Sequence, residues 1–317
     1  MQTKTRELLD RFPVRKSKKQ KEAFRGWLTE TLTGAGYNCE VESGKSLVTC
    51  NNVVVGDPET AKVVYTAHYD TPARLPLPNF IVPRNMLFTL IFQLPLLLIM
   101  FLIPIGAELL VLRLTENPLL GFLTVYVLLF GILFLIYAGP ANPSNVNDNT
   151  SGVATLLEIA LSLPEEQRGN AAFIFFDNEE KGVLGSAVYA KKHKAALKET
   201  LVVNFDCVSD GDDICFFPGK KMKKQTQLLD KLEAAFLPQG DKSVEVVCGK
   251  AHYPSDQAHF PYGVGVAALH RNRFFQYLGR IHTKRDTVFE QENIELLRRG
   301  AVTLVERMGA EENAPAQ

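Results

Sequence analysis

Phe173-Ile174-Phe175-Phe176-Asp177-Asn178-Glu179-Glu180-Lys181-Gly182 runs from four apolar residues straight into two adjacent carboxylates. With Ala171-Ala172 ahead of it and no polar alternation, the run reads as a strand covered on both faces, as in the middle of a parallel sheet. Glu179 and Glu180 then fall just past its carboxyl end, the edge at which open α/β sheets bind ligands. A solvated turn would account for such a pair taken alone. Its meaning depends on what other strands deliver to the same edge.

Lys62-Val63-Val64-Tyr65-Thr66-Ala67 repeats the buried-strand pattern and ends in His68-Tyr69-Asp70. Two apart on extended chain, His68 and Asp70 project to one side, where the carboxylate can orient the imidazole. Leu201-Val202-Val203-Asn204-Phe205 delivers Asp206 in the same way. Asp148 lies in Asn145-Val146-Asn147-Asp148-Asn149-Thr150-Ser151-Gly152, just ahead of the helical pattern Leu156, Leu157, Ile159, Ala160 and Leu163. A helix cap and a site carboxylate are both open readings of it. Strands near 37–41, 47–55, 213–217, 244–248 and 264–269 complete the strand set. Helices are expected over 4–32, near 185–193 and 225–236, and over 293–308. The order is that of an α/β fold with a central, mostly parallel sheet and helices on both faces.

Thirty-five basic and thirty-five acidic residues cancel, so charge gives no case for a nucleic-acid partner. The five cysteines form no Cys-x-x-Cys pair, which argues against both a disulfide framework and a thiolate zinc site and fits a reducing compartment. The first residues lack the apolar core of a secretory signal, so the chain is expected to start in the cytosol. The cluster Arg15-Lys16-Ser17-Lys18-Lys19-Gln20-Lys21 reads as a solvated run, with an anionic membrane surface as the alternative.

Between Asn85 and Ala141 the only charges are Glu108, Arg113 and Glu116, all near a short link between two apolar runs, 86–112 and 119–138. Each run reaches the ~20 residues that cross a ~30 Å hydrocarbon core, and neither keeps a polar face. The expectation is a hairpin of two transmembrane spans, residues 85–138, inserted in one catalytic domain made of 1–84 and 139–317. Asn85, Thr89 and Gln93 form a polar stripe expected to face the partner helix or the catalytic domain. Pro95 and Pro104 should kink the first span. Pro72, Pro76, Pro78 and Pro83 on the way in, and Pro140 and Pro143 on the way out, favour semi-rigid stems leaving from the rim of the site. Arg74, Arg84 and the cluster near Lys18 against Arg113 with Glu116 favour a catalytic domain on the cytoplasmic side of the cell membrane.

His68, Asp148, Glu180, Asp206 and His282, the last from Ile281-His282-Thr283-Lys284-Arg285-Asp286-Thr287, offer two imidazoles and three carboxylates. Such donors suit zinc, and one carboxylate can bridge two ions about 3.5–4 Å apart. Glu179 is left free to act as a base. Metal-assisted hydrolysis of an amide is the expected chemistry.

Taken together, these motifs resemble those of metallopeptidase family twenty-eight, which includes secreted leucyl aminopeptidases, glutamate carboxypeptidase and glutaminyl cyclase. The resemblance covers roughly 52–70 and 145–308 and fills every metal position in order. It implies a site for two Zn2+ ions, other divalent metals being conceivable. Asp148 would bridge, His68 and Asp206 would hold one ion, and Glu180 and His282 the other. Glu179 would be the general acid/base, with Asp70 behind His68 completing the catalytic group. Asp286 would support His282, or alternatively cap the last helix. The family's Ser-Asp-His element is matched by Ser255-Asp256-Gln257, with Gln257 in place of His, which makes Asp256 a substrate-side candidate. Tyr253 or His252 would donate to the oxyanion. The hairpin is absent from the family's secreted members and leaves substrate preference open. The resemblance implies a membrane-anchored zinc exopeptidase, foremost an aminopeptidase acting on peptides presented close to the bilayer. The alternatives are a single-zinc glutaminyl-peptide cyclotransferase and a non-catalytic scaffold similar to transferrin receptor or nicastrin.

Overall fold

The computed structural model describes residues 3–77 and 79–310, so Pro78 of the entering stem lies outside the described residues. Helices α1 (Thr3–Arg11) and α2 (Lys18–Gly34) precede strands β1 (Cys39–Lys45), β2 (Thr49–Val55) and β3 (Val63–His68). The long helices α3 (Met86–Thr115) and α4 (Pro118–Ala138) come next. Then follow α5 (Gly152–Ser162), β4 (Ala171–Phe176), α6 (Leu184–Lys192), β5 (Leu201–Phe205), β6 (Asp213–Pro218), α7 (Thr226–Ala235), β7 (Ser243–Val246), β8 (Gly263–Arg271), β9 (Gln276–Tyr277) and α8 (Gln291–Ala310).

One sheet runs in the order β1-β2-β4-β3-β5-β8-β6-β7, with β9 paired to β8. Its four central strands, β4-β3-β5-β8, are parallel, so their carboxyl ends share one edge. The strand that ends in the Glu-Glu pair is parallel to β3 on one side and antiparallel to β2 on the other. It therefore closes the parallel block and does not lie in its middle. β3, encoded before the hairpin, sits between β4 and β5, both encoded after it.

Alternate residues of the buried strands feed two cores. Val63, Tyr65, Phe173, Phe175, Val203 and Phe205 face Leu8, Phe24, Leu156, Leu232 and Leu297 of the helices on one side. Val64, Ile174, Phe176 and Val202 face Tyr189 of α6 on the other. Tyr65 stacks against both Phe173 and Phe205 and donates its hydroxyl to the Ala301 carbonyl at 2.8 Å.

Both α3 and α4 are long and apolar enough to cross a membrane, and their outer faces carry exposed Leu, Ile and Phe. Asn85 and Asn117 cap them, each accepting from backbone amides of its first turn. Gly121 lets the helices approach closely, because a Cβ there would stand 3.3 Å from Cγ of Glu108. α3 continues through Pro95 and Pro104. The polar stripe faces the entering stem: Thr89 Oγ1 accepts the Val82 amide at 2.9 Å, and Gln93 donates to Asn79 at 3.3 Å.

The stems are tied to one another and to the loop that carries His282. Arg74 N–H donates to the Pro140 carbonyl at 2.9 Å, and Asn142 N–H to that of Pro72 at 3.0 Å. Leu75 N–H donates to the carbonyl of His282 at 2.9 Å, while Ile81 and Leu278 exchange backbone bonds. The expected origin of the stems at the rim of the site is what the structure has.

The basic cluster is not one solvated surface, since Arg15 and Lys21 are buried. Arg15 donates to the carbonyls of Phe12 and Tyr69 and to Thr150 Oγ1. Lys21 Nζ joins the carboxylate of Asp177 to the amide oxygen of Asn178. An ammonium held on the turn that follows β4 is structural, whereas Lys18 and Lys19 remain exposed. Lys21→Met should strand the Asp177 carboxylate in the interior and destabilise the fold by about 3–5 kcal/mol. Thermal melts of detergent-solubilised protein will read this loss.

Candidate metal centre

Three strand ends and two loops bring the sequence-selected residues together at the carboxyl edge of the parallel block. After β4 the chain reverses through Asn178, Gly182 and Val183, all at positive φ. The two carboxylates between them are held by their backbone. Asp70 Oδ1 accepts the Glu179 amide at 2.9 Å and Oδ2 accepts that of Glu180 at 3.3 Å. Asp70 thus has a second task beside its place behind His68, with which its carboxylate is still paired. His68 Nδ1 lies 3.1 Å from the Asp70 carbonyl oxygen and 3.6 Å from its carboxylate, so the backbone rather than the side chain is the nearer partner of the imidazole. A proton on Nδ1 donated to that carbonyl leaves the Nε2 lone pair aimed into the cluster.

A second carboxylate does the same for Asp148. Asp286 accepts the amides of Asn147 at 2.7 Å and Asp148 at 3.0 Å. Asp286 therefore neither supports the His282 ring nor caps α8. Asp148 is not a helix cap either, since Asn149 Oδ1 takes the Gly152 amide at 3.0 Å. Asn147 and Ser151 tie this segment to the turn after Asp206, accepting the amides of Ser209 at 2.8 Å and Val208 at 3.0 Å. His282 adopts φ 61°, a left-handed conformation uncommon for a residue with a Cβ, and its carbonyl is the acceptor for Leu75.

The side chains then converge. His68 Nε2 lies 3.4 Å from Asp148 Oδ1, 3.6 Å from Asp206 Oδ1 and 3.9 Å from Glu179 Oε2. His282 Nε2 lies 3.0 Å from Asp148 Oδ2 and 3.5 Å from Glu180 Oε2. Asp148 thus turns one oxygen to each imidazole. Among the described residues three donor triads have ligand atoms within 4.8 Å of one another: His68-Asp148-Asp206 and Asp148-Glu180-His282, which share Asp148, and His68-Glu179-Glu180.

Electrostatics mark the cluster as short of positive charge. Burial and the carboxylates of Asp256, Asp206 and Asp148 hold Glu179 well above the usual range, against the pull of His68. Glu180 is raised by burial, Asp148 and Glu179. Burial works against ionisation of Asp148 too, but His282 and His68 hold it well below the usual range. Asp286 is pushed up to about 8 by burial and by Asp148, while its two amide donors oppose the shift. Buried carboxylates in this number call for cations or protons. The residues fit a metal: Glu180 Oε1 is buried with no hydrogen-bond partner, and the donors are imidazole and carboxylate, which suit zinc. Cys207 adjoins the cluster, but burial pushes its thiol well up and Sγ lies 3.1 Å from Asp206 Oδ1 as a donor.

The substrate-side candidates fare differently. The Tyr253 hydroxyl donates to the Asp206 carbonyl at 2.9 Å beneath Phe217, so it is committed to the scaffold and not free for an oxyanion. His252 is exposed, and its amide bonds to the Pro83 carbonyl at 2.8 Å; it lines a surface pocket with Phe217 and Lys221 away from the triads. Asp256 is fully buried behind the site with neither carboxylate oxygen hydrogen-bonded. Burial, Asp206 and Asp70 push it up to about 7. The buried roles of Lys21, Asn147, Asn149 and Ser151 are not legible in the sequence, because a run of polar residues gives no sign that it will be buried.

Asp286→Ala removes the acceptor of two buried amides, and support of this kind is typically worth ~10–100-fold in metal affinity. The expected outcome is a loss of that size in zinc affinity, measured by chelator competition.

The model of peptidase family M28 matches residues 136–305. No curated protein sequence matches the chain. Among solved structures, Porphyromonas gingivalis glutaminyl cyclase superposes with a TM-score of 0.60 at 16% identity, over 96% of this chain and 95% of that one. The Legionella pneumophila LapA aminopeptidase gives 0.57 at 15%, over 96% and 68%. A Zn-dependent exopeptidase from Parabacteroides distasonis gives 0.56 at 15%, over 94% and 92%. At these identities the superpositions establish a shared zinc-exopeptidase-like fold. The family match takes in more than half of the chain, from the last turns of α4 through α8, and with it the protein belongs to peptidase family M28.

Proposed function

We propose that the protein is a membrane-anchored exopeptidase of the aminopeptidase type with two zinc ions per chain. The observation that carries this reading is Asp148, whose two oxygens face two different imidazoles, each with its own further carboxylate. His68 and Asp206 would hold one ion, Glu180 and His282 the other, and Asp148 both. When bound, the ions would polarise the scissile carbonyl and lower the pKa of water toward about 7. Glu179 also lies within reach of His68 and Glu180, but the two triads that share Asp148 leave it free, and burial among carboxylates lets it hold a proton, which suits a group that accepts one from water and passes it to the leaving amine. Asp70 sets the position of Glu179 through its backbone amide. A shared carboxylate between two donor sets favours hydrolysis over the single-zinc cyclase reading. The intact donor set speaks against a non-catalytic scaffold.

The hairpin 85–138 is the anchor in this reading, inserted in a catalytic domain made of 1–84 and 139–317. The basic residues of the stems favour a cytoplasmic catalytic domain. Substrates are then peptides presented close to the bilayer.

Purified protein should carry about two zinc ions per chain and release free amino acids from aminoacyl reporters. One zinc with ammonia release from N-terminal glutamine would instead establish the cyclase, and neither product in zinc-replete protein the scaffold. Glu179→Gln should keep its metal and lose about 10²–10⁴-fold in activity. Asp148→Ala should lose metal. In a background without native cysteines, Thr115→Cys should react with an impermeant reagent outside intact cells and Lys224→Cys should not; the opposite pattern would put the catalytic domain outside.

A further inference from the structure

A cavity of about 460 Å³ runs from the candidate metal centre into the hairpin. Glu180 and His282 form its polar end. Leu77 and Phe80 of the entering stem, Phe92 and Leu96 of α3 and Ile136 of α4 line the rest. Apart from that polar end no charged side chain lines it, and two of its polar residues, Asn79 and Gln93, bond to each other at 3.3 Å. Its volume lies within the ~300–1,000 Å³ of small-molecule sites. One leucine or phenylalanine side chain would leave most of it unfilled.

The lengths of the two helices say where this cavity sits. The 21 residues of α4 span about 31 Å, which matches a ~30 Å hydrocarbon core. The 30 residues of α3 exceed that, and its first turns are held on the catalytic domain by Phe88 and Phe92 against Phe275. Leu96 of α3 and Ile136 of α4 therefore stand where the hydrocarbon begins. With the helices placed across a bilayer in this way, a chain leaving its core between them would meet an apolar lining that ends at Glu180 and His282.

We infer that the substrates of this site are amphiphilic amides, with the scissile amide at Glu180 and His282 and a long hydrocarbon chain held between the entering stem and α3 and α4. The inference rests on the hydrolytic reading above. The reaction is hydrolysis: the oxygen of water joins the carbonyl carbon, the C–N bond breaks, and the leaving amine takes the proton. The chain can enter on either side of that bond, as the alkyl group of an aminoacyl amide or as the acyl group of an N-acyl amino acid.

The test uses the full-length, zinc-loaded protein in lipid nanodiscs. Leucine amides of ethylamine, hexylamine and dodecylamine form one arm; N-acetyl-, N-hexanoyl- and N-dodecanoyl-leucine form the other. Because each buried methylene favours binding, kcat/KM should rise by at least about tenfold along one arm. Leu96→Trp, which fills the cavity, should abolish that rise, whereas Val127→Trp on the outer face of α4 should keep it. A rise that survives Leu96→Trp, or a flat series in both arms, overturns the inference, while release of leucine from its ethylamide upholds the aminopeptidase. If no amide is cleaved, the hydrolytic reading falls. The cavity is then decided by crosslinking of a diazirine-bearing leucyl dodecylamide in Glu179→Gln protein: adducts at 92–97 and 136–137 support the site, and adducts confined to the outer helix faces refute it.

Discussion

Asp70 and Asp286 each give both carboxylate oxygens to two successive backbone amides, and each pair of amides belongs to a turn that carries a ligand candidate. A carboxylate bound in this way fixes a peptide plane, not a side-chain rotamer. The backbone positions from which the side chains of Glu179, Glu180 and Asp148 start are thus held at two points. Without this, mutual repulsion among buried carboxylates would drive the turns apart, because there is little water to screen them. Two buried positive groups are structural too: Lys21 on Asp177, and Arg15 on the carbonyl of Tyr69.

Much of this was legible in the chain. Apolar runs ending in His68, Glu179-Glu180 and Asp206 announce strands whose carboxyl ends share an edge, because an all-apolar strand must be covered on both faces. Three strand endings point to His68, to Glu179 with Glu180, and to Asp206 at the candidate metal centre, whereas Asp148 and His282 come from loops. What escaped was the direction in which polar atoms point. Asp70 and His68 have the spacing for a side-chain pair, and their side chains do lie 3.6 Å apart, but the carboxylate also accepts two amides of the neighbouring turn and the carbonyl is the nearer partner of the imidazole. The sequence offers Asp286 as a support for His282 or as a cap of α8, but the amides that donate to it lie 138 and 139 residues away. Tyr253 shows the same limit. A phenol beside a site suggests a donor to substrate, but burial obliges it to find a partner at hand, and the Asp206 carbonyl supplies one.

The hairpin is joined to this scaffold by main-chain bonds and not by a tether. Leu75 reaches the carbonyl of His282, and Asn142 donates its side-chain amide to the Thr283 carbonyl at 3.0 Å. The loop that presents His282 is therefore shaped partly by the stems. That accounts for a left-handed backbone at a residue with a full side chain, since the surrounding bonds leave it little choice.

The place of β3 in the sheet carries a consequence in time. A ribosome delivers this strand and its histidine early, then the two apolar helices, and only afterwards the strands on either side of it. Until then β3 has two unpaired edges, and an exposed apolar strand is a hazard for aggregation. The sheet cannot close before the hairpin has been made and put somewhere. Whatever receives α3 and α4 during synthesis therefore acts before the centre exists, and a newly made chain passes through that step before it can gather its ligands.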